Sequence, residues 1–424
     1  MPVTNVSRKL PRVGGVRADE YITEELCARP SLRIALVTET WAPEINGVAM
    51  TLGRMADGLL ARGHHLQLIR PRQPGIDPPA ATVFEEILAR GVQLPRYPDV
   101  RIGLPARNAL IQQWNRQRPD VVHVATEGPL GWSAVSAARR LGIPVCSDFH
   151  TNFDHYSRHY GFGWMRKPVS AYLRRFHNRT AITFVPTEAL AQSLRASGYR
   201  RVEVIARGVD TALFSPLRRN EALRSSWGVA PDGLAVISVG RLAPEKNLTL
   251  TLRAFEAIKA VCPAARLVLV GDGPMRAALE RAHPEHHFAG MRSGEALTAH
   301  YASGDLFVFP SLTETYGNVT LEAMASGLTV VAFRCAAAAE LIRSGEDGLL
   351  APPDDESAFI DHAVASAQEN ATRRRLGAAA RHRAEALGWE QIHDRFTAAL
   401  HAVVRDARPT QGTEAADGMR EARP

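Results

Sequence analysis

Apolar and polar positions along the chain fall into two alternating patterns, short runs that are almost wholly apolar and longer stretches in which apolar residues recur every third or fourth position. The run LRIALVTE (Leu32 to Glu39) is the first of the short kind, and its unbroken apolar character predicts a strand buried on both faces. MTLGRMADGLLARGH follows with helical spacing and a stop at Gly63, and HLQLIRP predicts the next strand. Further pairs follow at DVVHVAT, a helix from Trp132 to Leu141, IPVCSDF, a long helix through Phe176, and AITFVPT. A second series begins at LAVISVGR and continues through a helix from Leu248 to Val261, RLVLVGDG, a helix after Pro274, HFAGM, LFVFPS, a helix around Glu322, and LTVVAF. It repeats the architecture without repeating the sequence. Strands alternating with helices predict an α/β protein with two doubly wound parallel sheets.

The segment VIARGVDTALFSPLRRN between the two series is rich in turn residues and has no strong period, so the interdomain crossing is expected there. The resulting division is a loosely ordered leader at 1–30, an N-terminal domain at 31–212, a C-terminal domain at 213–388, a helix at 389–405 and a polar, disordered tail at 406–424. The 389–405 helix either closes the second domain or packs back on the first. A length of 424 residues suits two domains rather than one core. With 22% charged residues and no apolar stretch near eighteen, an integral membrane protein is excluded. Cys27, Cys146, Cys262 and Cys335 are scattered, which argues against a disulfide framework or a zinc or redox pair. The leader lacks the apolar core of a secretory signal, so the default compartment is the cytoplasm.

Charge changes the picture in one region. The chain carries a net +7, while residues 101–200 alone hold fourteen Lys or Arg against five Asp or Glu. The excess is densest in the helix at 164–179. There Met165, Val169, Tyr172, Leu173 and Phe176 fall at helical spacing, and Arg166, Lys167, Arg174, Arg175 and Arg179 lie largely elsewhere on the wheel. This reads either as a core-facing stripe with a solvated basic face or as a surface for anionic lipid headgroups or an acidic acceptor.

Three segments carry candidate chemistry. ETWAPEINGVAMTL places Pro43 and Gly47 in a loop between the first strand and its helix, where a phosphate can approach backbone N–H groups; a tight turn would use the same glycine. The loop lacks the dinucleotide fingerprint, and the chain has no Walker pattern. SVGRLAPEKNL sets Arg241 and Lys246 five residues apart after a strand, a guanidinium fork and a mobile ammonium suited to a diphosphate. ETYGNVTLE places Glu314 before, and Glu322 about one turn inside, a helix starting near Asn318, so that carboxylates and free N–H groups share one end of the helix.

Taken together, NGVAMTL, VGRLAPEKNL, VGDGP, PSLTETYGNVTLEAMASG and DGLLAPPDD, in this order, resemble the retaining, sugar-nucleotide-dependent glycosyltransferases of family 4 with the GT-B fold. HTNFDHYSRHYG, ATEGPLG and RGVDTALF are similar to the GDP-mannose-dependent α-mannosyltransferase subgroup, which neighbours glucosyl- and sulfoquinovosyltransferases of glycolipid synthesis. The resemblance runs from about Leu32 to the last long helix.

It implies two Rossmann-like domains facing a cleft, with Arg241 and Lys246 on the donor diphosphate and Glu314 on the donor sugar. Gly317, Asn318 and Val319 would offer amides, Glu322 would bind the ribose, and Gly47 and Gly271 would let backbone approach the donor. Phe288 and Met291 would line the base pocket. Where many relatives carry a histidine two residues beyond His123, this chain has Ala125, which leaves His150 as the alternative cleft imidazole and a catalytic candidate beside Arg241, Lys246 and Glu314. Asn46, Thr126, Glu127, His150, Tyr156 and Arg158 are the acceptor candidates. Neither a cofactor nor a metal is expected, since no Asp-x-Asp clip occurs. The implied reaction is retaining transfer of mannose from GDP-mannose, or of another sugar from a UDP-sugar, to a lipid or glycan acceptor by a cytoplasmic enzyme peripheral to the inner membrane. A non-catalytic nucleotide-sugar or nucleic-acid binding protein is the reading from another class; nucleic acid is disfavoured because the basic region has no interleaved aromatics or recognisable module.

Overall fold

The computed structural model describes residues 30–42, 44, 46–73, 84–94, 97–150 and 166–407, and in it every apolar run named above is a strand. The first series supplies β1 (Arg33–Val37), β2 (His65–Pro71), β3 (Glu85–Ala89), β6 (Val121–Val124), β7 (Val145–Asp148), β8 (Ile182–Val185) and β9 (Val202–Val204). They form a parallel sheet in the order β3-β2-β1-β6-β7-β8-β9. The second series gives β10 (Ala235–Val239), β11 (Arg266–Val270), β12 (His287–Gly290), β13 (Leu306–Phe309), β14 (Thr329–Phe333) and β15 (Leu349–Ala351), ordered β12-β11-β10-β13-β14-β15. Helices cover both sheets. Ile34, Ala35, Leu36 and Val37 of β1, like Val236 and Ile237 of β10, are buried, which is why these strands read as unbroken apolar runs. In each sheet the strand order reverses beside the first strand, between β1 and β6 and between β10 and β13, and ligands of such sheets bind outside the carboxyl ends at that reversal.

The helix Gly47–Ala61 shows how the sequence sets local structure. Asn46 caps it, accepting from the Val48 and Ala49 amides at 3.1 and 2.9 Å, and the chain leaves it through Gly63 at φ 77°. Leu52, Met55, Ala56 and Leu59 on its inner face share one apolar cluster with Ile392, Phe396, Leu400 and Val403 of the helix Trp389–Ala407. The last helix therefore packs on the first sheet. A Cβ on Gly58 would stand 2.3 Å from the His393 ring, so only glycine admits the crossing. Arg62 clamps the far side, donating to Asp394 at 2.7 Å and Glu390 at 2.9 Å. Burying each large apolar side chain here contributes about 1.5–3 kcal/mol.

Three expectations are corrected. The last helix runs to Ala407, past the tail start at 406, because buried Val403 and Val404 continue its apolar face to the end. Between Pro71 and Val121 the chain forms elements beyond those expected: β3, a hairpin of β4 (Gly91–Leu94) and β5 (Tyr97–Gly103), and the helix Arg107–Arg116. EEILA is an edge strand whose glutamates are held by neighbours, Glu85 by Gln67 at 3.0 Å, so it lacks the apolar signature of a central strand. Beyond the last predicted strand, β15 and the helices Glu356–Gln368 and Asn370–Glu385 complete the second lobe.

The basic helix is observed as Arg166–His177, with Leu173 and Phe176 buried and Lys167, Arg174 and Arg175 exposed; Arg179 stands 5.2 Å over the Trp132 ring. The leader through residue 29, Pro43, the acceptor candidates Tyr156 and Arg158, Met165 and the tail from 408 lie outside the described residues.

Candidate functional site

On the second sheet's side, the loops after β10 and β11 touch backbone to backbone. A Cβ on Gly271, whose φ is 137°, would lie 2.0 Å from the Gly240 carbonyl oxygen. Only glycine allows that approach. It fixes the start of the β10 loop, from which Arg241 Nε donates to Glu245 Oε1 at 3.0 Å and Lys246 pairs with Glu314. Ser311 donates a further hydrogen bond to Glu314 at 2.7 Å. Burial opposes the charge on Glu245, yet its hydrogen bond from Arg241 overcomes this and holds the carboxyl below its usual range.

Next comes the helix Asn318–Ala325, whose N-cap Gly317 has φ 88° and offers no side-chain cap. The first amides of such a helix lack partners within the helix and carry the positive end of its dipole. Glu322, one turn in, accepts from the Tyr301 hydroxyl at 2.9 Å, and burial pushes its carboxyl up to about 7 against that hydrogen bond.

On the first sheet's side, Asn46 and Gly47 follow β1. A Cβ on Gly47 would come 4.0 Å from Asn318 Nδ2, so two helix starts face each other across the opening. Behind them Asp148 at the end of β7 lies 3.1 Å from His123 Nε2 and 3.1 Å from His150 Nε2. Burial disfavours the Asp148 charge, but the two imidazoles more than offset it and keep the carboxyl well below its usual range. Arg207, in the crossing segment, reaches His150 Nδ1 at 2.8 Å. The loop after Glu314 binds both backbones: the Thr315 hydroxyl donates to the His150 carbonyl at 2.7 Å and the Tyr316 hydroxyl to that of Arg207 at 3.1 Å.

With Ser311, Tyr301, Asp148 and His123 behind them, these groups line a cleft of about 1710 Å³, one wall of which is apolar, with Val169, Leu173, Leu190, Leu194 and Tyr199. A fork and an ammonium held by carboxylates, a bare helix start and a second carboxylate one turn in suit a diphosphate carrying hydroxylated rings at both ends.

Comparison with known proteins gives the same picture. Residues 45–213 match the family model described as Glycosyltransferase Family 4, and residues 233–369 match Glycosyl transferases group 1. A relative from Mycolicibacterium smegmatis, named GDP-mannose-dependent alpha-mannosyltransferase, is 34% identical over 88% of this chain and 98% of its own length. The chain belongs to the family 4 glycosyltransferases. This glycosyltransferase is also 32% identical, over 71% of its length and 60% of the relative's, to the sulfoquinovosyl transferase SQD2 of Arabidopsis thaliana. In fold it resembles a sucrose-phosphate synthase from Thermosynechococcus elongatus, with a TM-score of 0.72 at 19% identity over 88% of this chain and all of that one, which accords with a GT-B architecture.

Of the residues singled out in the glycosyltransferase sequence, Asn46, Gly47, His150, Arg241, Lys246, Gly271, Met291, Glu314, Gly317, Asn318, Val319 and Glu322 all line the cleft. Phe288, Thr126 and Glu127 are not among its lining residues. Phe288 packs against the apolar cluster of Phe255 and Leu279, because its strand turns that side chain toward the helical layer. Thr126 Oγ1 accepts from the Glu39 amide at 3.0 Å, and Glu127 pairs with His177 at 3.2 Å, so their polar atoms are held inside the first lobe. His150 lines the cleft, with Nδ1 at 2.8 Å from Arg207 and Nε2 at 3.1 Å from Asp148.

Glu245, Asp148 and Arg207 went unnoticed in the sequence. Glu245 lies within VGRLAPEKNL and Arg207 opens RGVDTALF, but neither segment contains a signal for the partner that holds its side chain in place. Among the described residues the one His and carboxylate group close enough to hold an ion, His283, Glu285 and His286, is not part of the cleft lining. No described helix is long and apolar enough to cross a membrane.

Proposed function

We propose that this glycosyltransferase moves an α-mannosyl group from GDP-mannose, with retention, to a lipid or lipid-linked acceptor at the cytoplasmic face of a membrane. The observation that carries the reading is the meeting of Arg241, Lys246, Glu314 and the bare start of the Asn318 helix in one cleft. The donor is supported by the activity for which the Mycolicibacterium smegmatis relative is named. A lipid acceptor is supported by the apolar wall of Val169, Leu173, Leu190, Leu194 and Tyr199, and by the basic outer face of the helix beside it. Lobes at 31–212 and 213–388 would hold acceptor and donor, with the last helix belonging to the first.

In this reading Arg241 and Lys246 take the diphosphate and neutralise its charge as the sugar departs, a fixed-charge stabilisation that calls for no metal. Glu314, held by Lys246 and Ser311, receives sugar hydroxyls. Glu322 receives the ribose, the amides of Asn318 and Val319 and the backbone at Gly47 and Gly271 approach the phosphates, and Met291 lies at the base. The departing phosphate draws the proton from the acceptor hydroxyl on the same face, so no enzymic nucleophile is needed. Asn46, which lines the cleft, remains on the acceptor side. The likeness to a sulfoquinovosyl transferase supports a second reading, a UDP-sugar donor on the same site.

Thermal protection by GDP- and UDP-sugars separates the two readings, since a ligand of the native state raises the melting temperature. GDP-mannose is expected to protect at lower concentration than UDP-glucose, and the reverse order replaces the first reading with the second. Glu314→Ala is expected to lower sugar transfer by about a hundredfold or more, the scale of one lost transition-state contact. Unchanged transfer moves the donor sugar elsewhere.

A further inference from the structure

Three cations of the cleft lining, Arg54, Arg241 and Lys246, each meet a carboxylate, at Asp210, Glu245 and Glu314 respectively. Arg207 and the exposed Arg292 line the same cleft; Arg207, the less exposed of the two, has no carboxylate partner among the described residues. Its side-chain contact is with an imidazole, His150 Nδ1, at 2.8 Å. A guanidinium does not surrender its proton, so Nδ1 is the acceptor of that hydrogen bond and the His150 proton sits on Nε2, facing Asp148 Oδ2 at 3.1 Å. The imidazole is neutral in this arrangement, and burial, which outweighs the pull of Asp148, lowers its pKa accordingly. The negative charge that supports Arg207 is thus one ring away rather than in contact.

We infer that Arg207 is an anion-binding residue of the cleft, presenting its remaining N–H donors to a phosphate or carboxylate oxygen of a bound substrate, with His150 and Asp148 as the positioning residues that aim it. A half-buried cation that lacks a contact anion is costly to hold, and an anionic ligand lowers that cost when it binds. The position is fixed from the other lobe as well, since Thr315 and Tyr316, directly after Glu314, bind the carbonyls of His150 and Arg207. A ligand spanning both sides of the cleft therefore meets Glu314 and Arg207 on one connected frame. The inference deepens the proposed function and rests on its placing of the substrates in this cleft. The anionic oxygen has two sources there, the donor diphosphate and an ionised acceptor headgroup.

The test compares wild type, Arg207→Gln and Arg207→Lys for thermal protection by GDP, by inorganic phosphate, and by phosphate added over saturating GDP. Arg207→Gln is expected to raise the half-protecting concentration of at least one anion about tenfold or more, with partial recovery in Arg207→Lys, which keeps the charge without the fork. A loss confined to GDP assigns the contact to the donor diphosphate. A phosphate effect that persists over saturating GDP in wild type and vanishes in Arg207→Gln assigns it to an acceptor anion. Without ligand, Arg207→Gln is expected to melt at or above the wild-type temperature. A fall of several degrees would mark Arg207 as a structural counter-ion of Asp148 and overturn the inference, as would unchanged protection by both anions. Wild type protected by phosphate but not by GDP defeats the nucleotide reading alone, leaving the phosphate arm to judge Arg207, and protection by neither defeats both.

Discussion

Two helix starts face each other across the cleft, and they are built in opposite ways. At Gly47 the preceding Asn46 spends its side chain on the Val48 and Ala49 amides and is itself held by Thr40 at 2.8 Å. At Asn318 the preceding residue is Gly317, which has no side chain to give. A capped start is finished by its own sequence, whereas an uncapped one leaves its amides to whatever enters the cleft. The capped end thus adds to the stability of the first lobe, and in the proposed function the bare end is the one whose free amides meet an anion.

The largest test of that contrast is Gly317→Ala. Alanine at φ 88° is strained by about 1–2 kcal/mol, and its Cβ would press to 3.3 Å from Glu314 Cγ. Urea unfolding is expected to show that loss of stability, and transfer should fall well beyond it because Glu314 is displaced as well. Equal losses in stability and activity would make Gly317 a turn residue and nothing more.

The bare end also has a pH signature. With its carboxyl pushed up to about 7, Glu322 is protonated as the pH falls through that value, and a protonated carboxyl accepts ribose hydroxyls less well. Binding of GDP-mannose, whose diphosphate is esterified at both ends and does not titrate near neutrality, is expected to weaken below pH 7 by up to about tenfold per pH unit. Glu322→Gln should flatten the profile. A wild-type affinity that is constant from pH 8 to pH 5.5 takes Glu322 out of the donor contact.

Half of this contrast is legible in the sequence. YGNVTLE shows a helix start with free amides, and the apolar runs of β1 and β10 announce central strands, whereas NGVAMTL, read as a place for a phosphate, does not disclose that Asn46 takes the Val48 and Ala49 amides. The pairings are another matter. Glu245 lies next to Lys246 in the chain yet turns to Arg241, and Arg207 finds His150 from 57 positions away, contacts that depend on which strand ends the sheet order brings together. Thr126 and Glu127 mislead for the same reason. They stand at the strand reversal, where ligands are expected, but Glu39 and His177, brought in by other elements, take up their polar atoms. Edge elements such as EEILA were missed because half-burial erases the apolar signature on which strand reading relies.

At the capped end the effects are smaller. Asn46→Ala frees two amides and is expected to reduce stability by about 1 kcal/mol, recovered in Asn46→Asp, which keeps an acceptor at the cap. Chemical denaturation reads this directly, and an Asn46→Asp protein as unstable as the alanine variant would show that the contacts of Asn46 to Thr40 and Glu44 matter more than the cap.

Gly47→Ala should have the smallest effect on folding. Gly47 is not in the left-handed region, its nearest neighbour to a new Cβ is Asn318 Nδ2 at 4.0 Å, and alanine is the better helix former, so stability is expected to hold or rise by a few tenths of a kcal/mol. The added methyl nevertheless occupies the space between the two helix starts. If a diphosphate passes there, KM for the donor rises while the melting temperature does not fall. If KM is unchanged, the first lobe's glycine is a convenience of the turn, and of the two helix starts only the bare one meets the anion.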